Sequence, residues 1–156
     1  MTTHTTQTLL RAAPEIIYDD LTRPARWREW HHASLGTEAH AGASMRVGDH
    51  FREQIRSVGI RKELTWRVLE ADPPRYWAAA ATMADGSTVH LRYEFAPVPE
   101  GTRFTRTLSY TLQAGESGAS RYFRVTPKRG SITGTSATAQ LIYCGPAHTT
   151  HGYNLT

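Results

Sequence analysis

The strongest constraint on the fold of this chain is a run of alternating apolar and polar residues between positions 50 and 112. Segment 89–95, VHLRYEF, is the clearest case, because an apolar residue stands at every second position. Side chains of a β-strand point alternately to its two faces, so this period of two predicts strands with one apolar face. The Asp85-Gly86 pair just before this segment is a strong signal for a tight hairpin turn. The run therefore predicts an antiparallel sheet with short connections.

The pattern predicts one early strand and a later series of strands. The early strand is a weak, threonine-rich alternation at 4–11, and threonine is enriched in strands. Glycine and proline mark the turns of the later series. The strands of that series are expected at 50–57, 62–71, 75–83, 89–95 and 103–112.

Two short helices are predicted between the early strand and the later series. Pro14 suits the first turn of a helix, and Glu15 lies near its positive end. Pro24 interrupts this helix and precedes a second one. Trp27 and Trp30 share a face of the second helix, because residues three apart are neighbours on a helix surface.

The segment after Leu112 does not match what such a sheet requires. A sheet with one apolar face must be covered, and two short helices cannot cover this many strands, so a long helix is expected here. We expect instead at most a short helix near 118–125 and a short strand at 139–144, in a divergent terminus. The residues that oppose a continuous helix are Pro127, Gly130, Gly134, Gly145, Pro146 and Gly152.

The order of elements resembles the helix-grip fold of the START-like superfamily, the polyketide cyclase/dehydrase and lipid-transport group. The segments that carry the resemblance are APEIIYDDLTRPARWREWH and LTWRVLEADPPRYWAAAA, within residues 4–112. The resemblance implies an α+β fold, in which a C-terminal helix lies across a curved antiparallel sheet and a hydrophobic cavity lies between them. We therefore expect a ligand-binding domain at 1–125 and a divergent, irregular tail of the same domain at 126–156.

Two charged residues fall on apolar faces of the predicted sheet. Glu53 shares its face with Phe51 and Ile55, and Arg106 shares its face with Leu108. A lone buried charge is costly, so we expect Glu53 and Arg106 to pair inside the cavity, directly or through water. Two alternatives stay open: the pair only fixes the register of the sheet, or a bulge turns Glu53 to solvent.

The resemblance implies a cavity lined by apolar side chains with a few polar anchors, which is the usual composition of a small-molecule site. The aromatic residues among them have an alternative role as core-forming residues. No catalytic residue is assigned. The predicted ligand-binding residues are Phe51, Glu53, Trp66, Trp77, Leu91, Tyr93, Phe95, Arg106, Leu108 and Tyr110.

The histidines do not predict a metal site. His31 and His32 are adjacent, so on a helix they point about 100° apart and do not readily share an ion. His148 and His151 have a chelating spacing but no third ligand nearby. His31 or His32 is a candidate general base at the cavity mouth, or simply a half-exposed residue at a helix end. No metal or organic cofactor is predicted, and nothing matches a nucleotide-binding or nucleophile-elbow motif.

The charge and the cysteine count bound the partners. The net charge is +4 and the pI is about 9.5, but the arginines are scattered along strands, so no nucleic-acid partner is predicted. No apolar run approaches the roughly 20 residues that a membrane span needs, and the N-terminus lacks the pattern of a signal peptide. The single cysteine, Cys144, excludes an internal disulfide and predicts a cytoplasmic location.

Three functions follow from the resemblance. The leading one is binding of a hydrophobic or aromatic, lipid- or polyketide-like small molecule, with a carboxylate, phenol or ketone facing Arg106 and the tyrosines. The alternative is a cofactor-independent enzyme similar to polyketide cyclases and aromatases, in which Arg106 stabilises developing enolate charge. The second alternative is a protein-interaction module; an exposed apolar sheet would favour that role or a homodimer.

Overall fold

The computed structural model describes residues 1–39, 43–57 and 60–113. They form one antiparallel sheet of seven strands in the order β1-β7-β6-β5-β4-β3-β2, with two short helices. A single 3₁₀ turn, Pro24–Arg26, leads into the second helix. The elements are β1 (Thr2–Leu10), α1 (Pro14–Leu21), α2 (Trp27–Trp30), β2 (Ser34–Glu38), β3 (His50–Ser57), β4 (Ile60–Asp72), β5 (Tyr76–Thr82), β6 (Thr88–Val98) and β7 (Gly101–Thr111).

The predicted α+β fold class, a curved antiparallel sheet with two short helices, is confirmed. One strand, β2, is not predicted from the sequence; it pairs with β3 at the edge of the sheet. Its sequence, SLGTE, contains Gly36 and has no sustained alternation of apolar residues. The register also shifts between Ser34 and Gly36. A short, irregular edge strand of this kind carries too weak a pattern to be recognised from periodicity.

Several predictions about the terminus lie outside the described residues. These are the C-terminal helix, the short helix near 118–125, the strand at 139–144 and the boundary between 1–125 and 126–156. Within the part of the chain that the structure describes, no helix combines the length and the apolar character needed to cross a membrane.

The core lies on one side of the sheet, called the inner face below. Cross-strand partners in an antiparallel sheet point to the same side. The register pairs Phe51 with Trp66 across β3 and β4, and Tyr93 with Arg106 across β6 and β7. All four side chains are buried. The alternate residues of the same strands, such as Arg92, point to the other face.

Both helices pack against the inner face, α1 beside β6 and β7 and α2 beside β2. Helix α1 buries Ile17, Tyr18 and Leu21, and Tyr18 meets Phe95 of β6 edge to face at 5.3 Å between ring centroids. Trp27 of α2 donates a hydrogen bond from Nε1 to the backbone oxygen of Leu21, 2.9 Å away. This bond joins the two helices and fixes where the Trp27 ring enters the core.

Candidate functional site

Trp27 organises an aromatic cluster on the inner face. Its ring is 1% exposed and meets Phe51, Trp66 and Trp77 edge to face, with centroid distances of 5.3, 5.8 and 6.1 Å. Edge-to-face contacts of this kind stabilise beyond the area that they bury. Three of the predicted ligand-binding residues are therefore covered by a helix side chain, as expected of core-forming residues.

A second aromatic cluster lies beneath α1. Tyr93 meets Phe104 at 5.2 Å, and Phe95 meets Phe104 at 5.3 Å. Tyr18 covers Phe95 from above, and Tyr93 stacks on Trp77 at 5.5 Å. The two clusters are thus continuous across β5 and β6, and they fill the end of the inner face that lies under the helices.

The middle of the inner face is lined by small side chains. Ala79 and Ala81 of β5 both lie buried on this face, opposite Leu91 and Val89 of β6. A methyl group rises only a short way above a sheet, so we infer a shallow trough over these two alanines, between bulkier neighbours. The trough is bordered by Trp66, Val68, Val89, Leu91, Leu108 and Tyr110.

Glu53 is buried on the inner face, with 1% of its surface exposed. Trp66 Nε1 donates a hydrogen bond to Glu53 Oε2 at 2.9 Å, and His31 Nδ1 lies 3.3 Å from Oε1. Hydrogen bonds from both partners satisfy the two carboxylate oxygens, which is the usual condition for burying a charge. The alternative in which a bulge turns Glu53 to solvent is wrong.

The predicted pairing of Glu53 with Arg106 is also wrong. Glu53 lies on β3 and Arg106 on β7, and three strands separate them in the sheet. Four strand spacings correspond to about 19 Å along the sheet, which neither an ion pair nor one bridging water spans. The hydrogen bonds of Glu53 go to Trp66 and His31 instead. The order of the strands decides which buried residues meet, and the residue pattern along a single strand does not reveal that order.

Arg106 has a different environment from Glu53. It is 6% exposed and lies on the inner face between Tyr93 of β6 and Thr6 of β1. Its Nε is buried without a hydrogen-bond partner. Among the described residues no ion pair involves this guanidinium. Burying a cation without a counter-charge is costly, so Arg106 is a donor suited to an acceptor group that the described residues do not supply.

All ten of the predicted ligand-binding residues are buried on the inner face. The structure groups them into three environments: the cluster under Trp27 together with Glu53, which is bonded to Trp66; the cluster under α1; and the trough with Arg106 at one side. Trp27 is not among these ten predicted residues, although its three-residue spacing from Trp30 on α2 is a signal in the sequence. The ligand-binding role of these ten residues stays a prediction. Within the described residues no group of three potential metal ligands occurs, and His148 and His151 lie outside them.

Tyr18 provides a pH-dependent test of this packing. Its hydroxyl is buried without a hydrogen-bond partner, and burial, with a smaller effect from Asp72, raises the pKa of Tyr18 to about 12. The folded state therefore holds this proton more strongly than the unfolded state, where the pKa is 10.0. The stabilisation is complete below pH 10 and is lost between pH 10 and 12, by about 1.4 kcal/mol per pH unit.

The measurement is the free energy of unfolding in urea at a series of pH values from 8 to 12. We expect Tyr18→Phe to remove this part of the alkaline loss, because phenylalanine has no proton to release. The substitution should cost little at pH 8, since it removes a hydroxyl that has no partner. An identical alkaline loss in both proteins would show that Tyr18 ionises freely.

The comparisons with known proteins agree with this fold. A family model described as polyketide cyclase / dehydrase and lipid transport matches residues 1–134. None of the curated proteins matches the chain. Among solved structures, Mll3558 from Rhizobium loti is 22% identical with a TM-score of 0.59, over 76% of this chain and 85% of that one.

Two further solved structures extend this likeness. Protein CV1439 from Chromobacterium violaceum is 18% identical with a TM-score of 0.59, over 73% of this chain and 83% of that one. Ginseng major latex-like protein 151 from Panax ginseng is 12% identical with a TM-score of 0.53, over 70% of this chain and 78% of that one. At these identities the likeness shows the fold. Because the family model matches most of the chain, the protein belongs to the polyketide cyclase / dehydrase and lipid transport family.

Proposed function

We propose that the inner face binds a hydrophobic or aromatic small molecule, lipid- or polyketide-like, that carries a carboxylate, phenol or ketone oxygen. The apolar body of the ligand would lie on the alanine trough of β5, and its oxygen would accept a hydrogen bond from Arg106. Both parts match the usual small-molecule site, in which a mostly apolar wall carries a few polar groups that fix orientation.

The observation that carries the proposal is the state of Arg106. Arg106 is 6% exposed as a residue, its Nε is buried without a partner, and it lies among aromatic and aliphatic side chains. An arginine kept only for structure would normally have its donors satisfied. An acceptor oxygen of a ligand would satisfy them, and a charge-assisted hydrogen bond in a dry environment is among the stronger polar contacts.

Two fluorescent probes that differ by one anionic group test this proposal. The probes are 8-anilinonaphthalene-1-sulfonate, which carries a sulfonate, and N-phenyl-1-naphthylamine, which lacks it. We expect Arg106→Met to weaken binding of the sulfonate probe by about 10- to 100-fold, the equivalent of one charge-assisted hydrogen bond, and to leave binding of the neutral probe nearly unchanged.

Arg92→Met is the matched control for this experiment. Arg92 lies on the neighbouring strand but on the outer face, where it contacts Glu70 and Glu94. Its replacement changes the net charge equally without touching the inner face. If Arg92→Met weakens binding of the sulfonate probe as much as Arg106→Met does, the effect comes from the net charge. The proposed role of Arg106 as the anchor for the ligand oxygen then fails. If neither probe binds the unmodified protein, the binding proposal itself fails.

Native mass spectrometry of protein purified from its own host, followed by organic extraction, addresses the ligand. A bound mass that is lost in Arg106→Ala would support the binding function and give the compound class. A ligand that is converted and released would favour the cyclase or aromatase alternative. If the purified protein carries no bound compound and does not bind fatty acids, flavonoids or polyketide mimics, the result would favour the interaction module, or the homodimer. The cytoplasmic location stays a prediction that rests on the single cysteine.

A further inference from the structure

A second polar group lies across the inner face from Arg106, where β3 meets the end of α2, and the role proposed for Arg106 does not explain it. His31 follows α2 as its C-terminal cap, and its backbone N–H donates a hydrogen bond to the carbonyl oxygen of Trp27 at 2.6 Å. Its Nδ1 lies 3.3 Å from the buried Oε1 of Glu53. The imidazole ring is 5.7 Å from the ring of Trp30 and 6.3 Å from that of Trp27. The histidine is thus held on three sides.

The contacts of Glu53 indicate which nitrogen of His31 carries the proton. An indole N–H only donates, so Oε2 of Glu53 accepts from Trp66. An ionised carboxylate has only acceptors, so Oε1 accepts a hydrogen bond from an N–H at Nδ1 of His31. The hydrogen bond at one ring nitrogen decides the state of the other. In the neutral ring, therefore, Nε2 carries the lone pair and is an acceptor.

The exposure of the two residues separates their roles. The carboxylate of Glu53 is sealed, with 1% of the side chain exposed, whereas 18% of the His31 side chain is exposed. No described residue makes a hydrogen bond to Nε2 of His31. Glu53 is therefore placed to orient the imidazole ring, and His31 is placed to contact a ligand that enters from solvent.

The neighbouring ring of Trp30 carries a donor without a partner. Nε1 of Trp30 is buried and makes no hydrogen bond, and its ring is the one that lies 5.7 Å from the imidazole. Thr37, directly opposite Glu53 in the register of β2 and β3, also has a buried hydroxyl without a partner. A hydroxyl group both donates and accepts. A hydroxyl group on a ligand therefore satisfies an unpaired acceptor and an unpaired donor together.

We propose that His31, oriented by Glu53, binds the hydroxyl group of an aromatic ligand, a phenol or an enol, through Nε2, with Trp30 Nε1 as the donor to the same oxygen. This inference rests on the proposed function, because the ligand must first occupy the inner face. It adds a recognition site at the α2 end of that face and narrows the ligand class to molecules with an aromatic or conjugated hydroxyl. In this arrangement Glu53 is a positioning residue, since it acts through His31.

The first test measures the tautomer directly. Long-range nitrogen–proton NMR correlations of the full chain show which imidazole nitrogen carries hydrogen, and the signal that disappears in His31→Gln identifies His31 among the eight histidines. We expect hydrogen on Nδ1 and none on Nε2. We expect Glu53→Gln, which keeps an acceptor for Trp66, to lose this strict preference. Hydrogen on Nε2 in the unmodified protein would overturn the proposal, because the acceptor would not exist.

The second test uses two ligands that differ in the hydroxyl hydrogen, 2-naphthol and 2-methoxynaphthalene, with binding measured by calorimetry. We expect 2-naphthol to bind about tenfold more tightly to the unmodified protein, the usual effect of one satisfied hydrogen bond. We expect His31→Phe to abolish this preference while binding of 2-methoxynaphthalene changes little. His32→Phe is the matched control, because the neighbouring His32 is exposed and its replacement should keep the preference.

The outcomes separate this inference from the proposed function. Equal affinity of the two ligands for the unmodified protein would overturn the role of His31 and leave binding on the inner face intact. Equal weakening of both ligands in His31→Phe would show that His31 is only structural, which also overturns it. Failure of both ligands to bind the unmodified protein would overturn both proposals.

Discussion

Replacing Trp27 with alanine is expected to lower the free energy of unfolding by about 3–5 kcal/mol. The side chain is 1% exposed and lies between α2 and the sheet, in contact with the rings of Phe51, Trp66 and Trp77. Its loss removes these contacts and leaves a cavity that the rigid sheet below cannot close. It also leaves the carbonyl of Leu21 without its indole donor. Urea unfolding followed by circular dichroism measures the change.

Trp27→Phe is the matched control for this prediction. Phenylalanine keeps an aromatic ring against the cluster but cannot donate to Leu21. We expect it to cost about 1–2 kcal/mol, mainly the unsatisfied carbonyl and a small cavity. A Trp27→Ala protein that stays within about 1 kcal/mol of the original would mean that the helix and the sheet are not coupled through this side chain.

Replacing Glu53 with alanine is expected to lower the free energy of unfolding by about 2–4 kcal/mol. Two opposed effects decide whether the replacement raises or lowers the free energy of unfolding. Burying a carboxylate costs free energy, which its removal recovers. The removal also leaves the buried N–H of Trp66 without an acceptor and opens a cavity beside Leu64 and His31. We expect the second effect to be larger, because both carboxylate oxygens are already satisfied by hydrogen bonds.

Glu53→Gln and Glu63→Ala are the controls for this prediction. Glutamine keeps an oxygen for Trp66 Nε1, so its cost should be about 1 kcal/mol. Glu63 is an exposed residue of the neighbouring strand, and its replacement should change the stability by less than about 0.5 kcal/mol. A Glu53→Ala protein as stable as the original would show that the hydrogen bonds only offset the cost of burial.

The strands and helices could be predicted from the sequence because their patterns are local. The alternation at 89–95 needs only neighbouring residues to be recognised, and the structure places β6 over Thr88–Val98. The proline at the start of α1 acts in the same way. The strand β2 could not be predicted, since Ser34–Glu38 is short and interrupted by a register shift. Its strand geometry is imposed by pairing with β3.

The candidate site also has some features that local sequence patterns predict and others that depend on the tertiary structure. The sequence predicted that Glu53 is buried and needs a partner, and that Arg106 shares an apolar face with Leu108, because burial on one face follows from alternation. It could not predict the partner of Glu53, which depends on strand order. His31 comes 22 residues earlier in the chain, at the end of a helix.

The sequence by itself therefore determined which faces are apolar, where the helices begin, and that charged residues lie on the buried face. Only the tertiary structure decided which charges meet, that Trp27 covers three aromatic residues of the sheet, and that Arg106 keeps a buried Nε without a partner. The physical reason is the range of the interactions. Backbone geometry and side-chain alternation act between neighbours in the chain, whereas hydrogen bonds and ring contacts act between neighbours in space, which strand order and helix packing bring together.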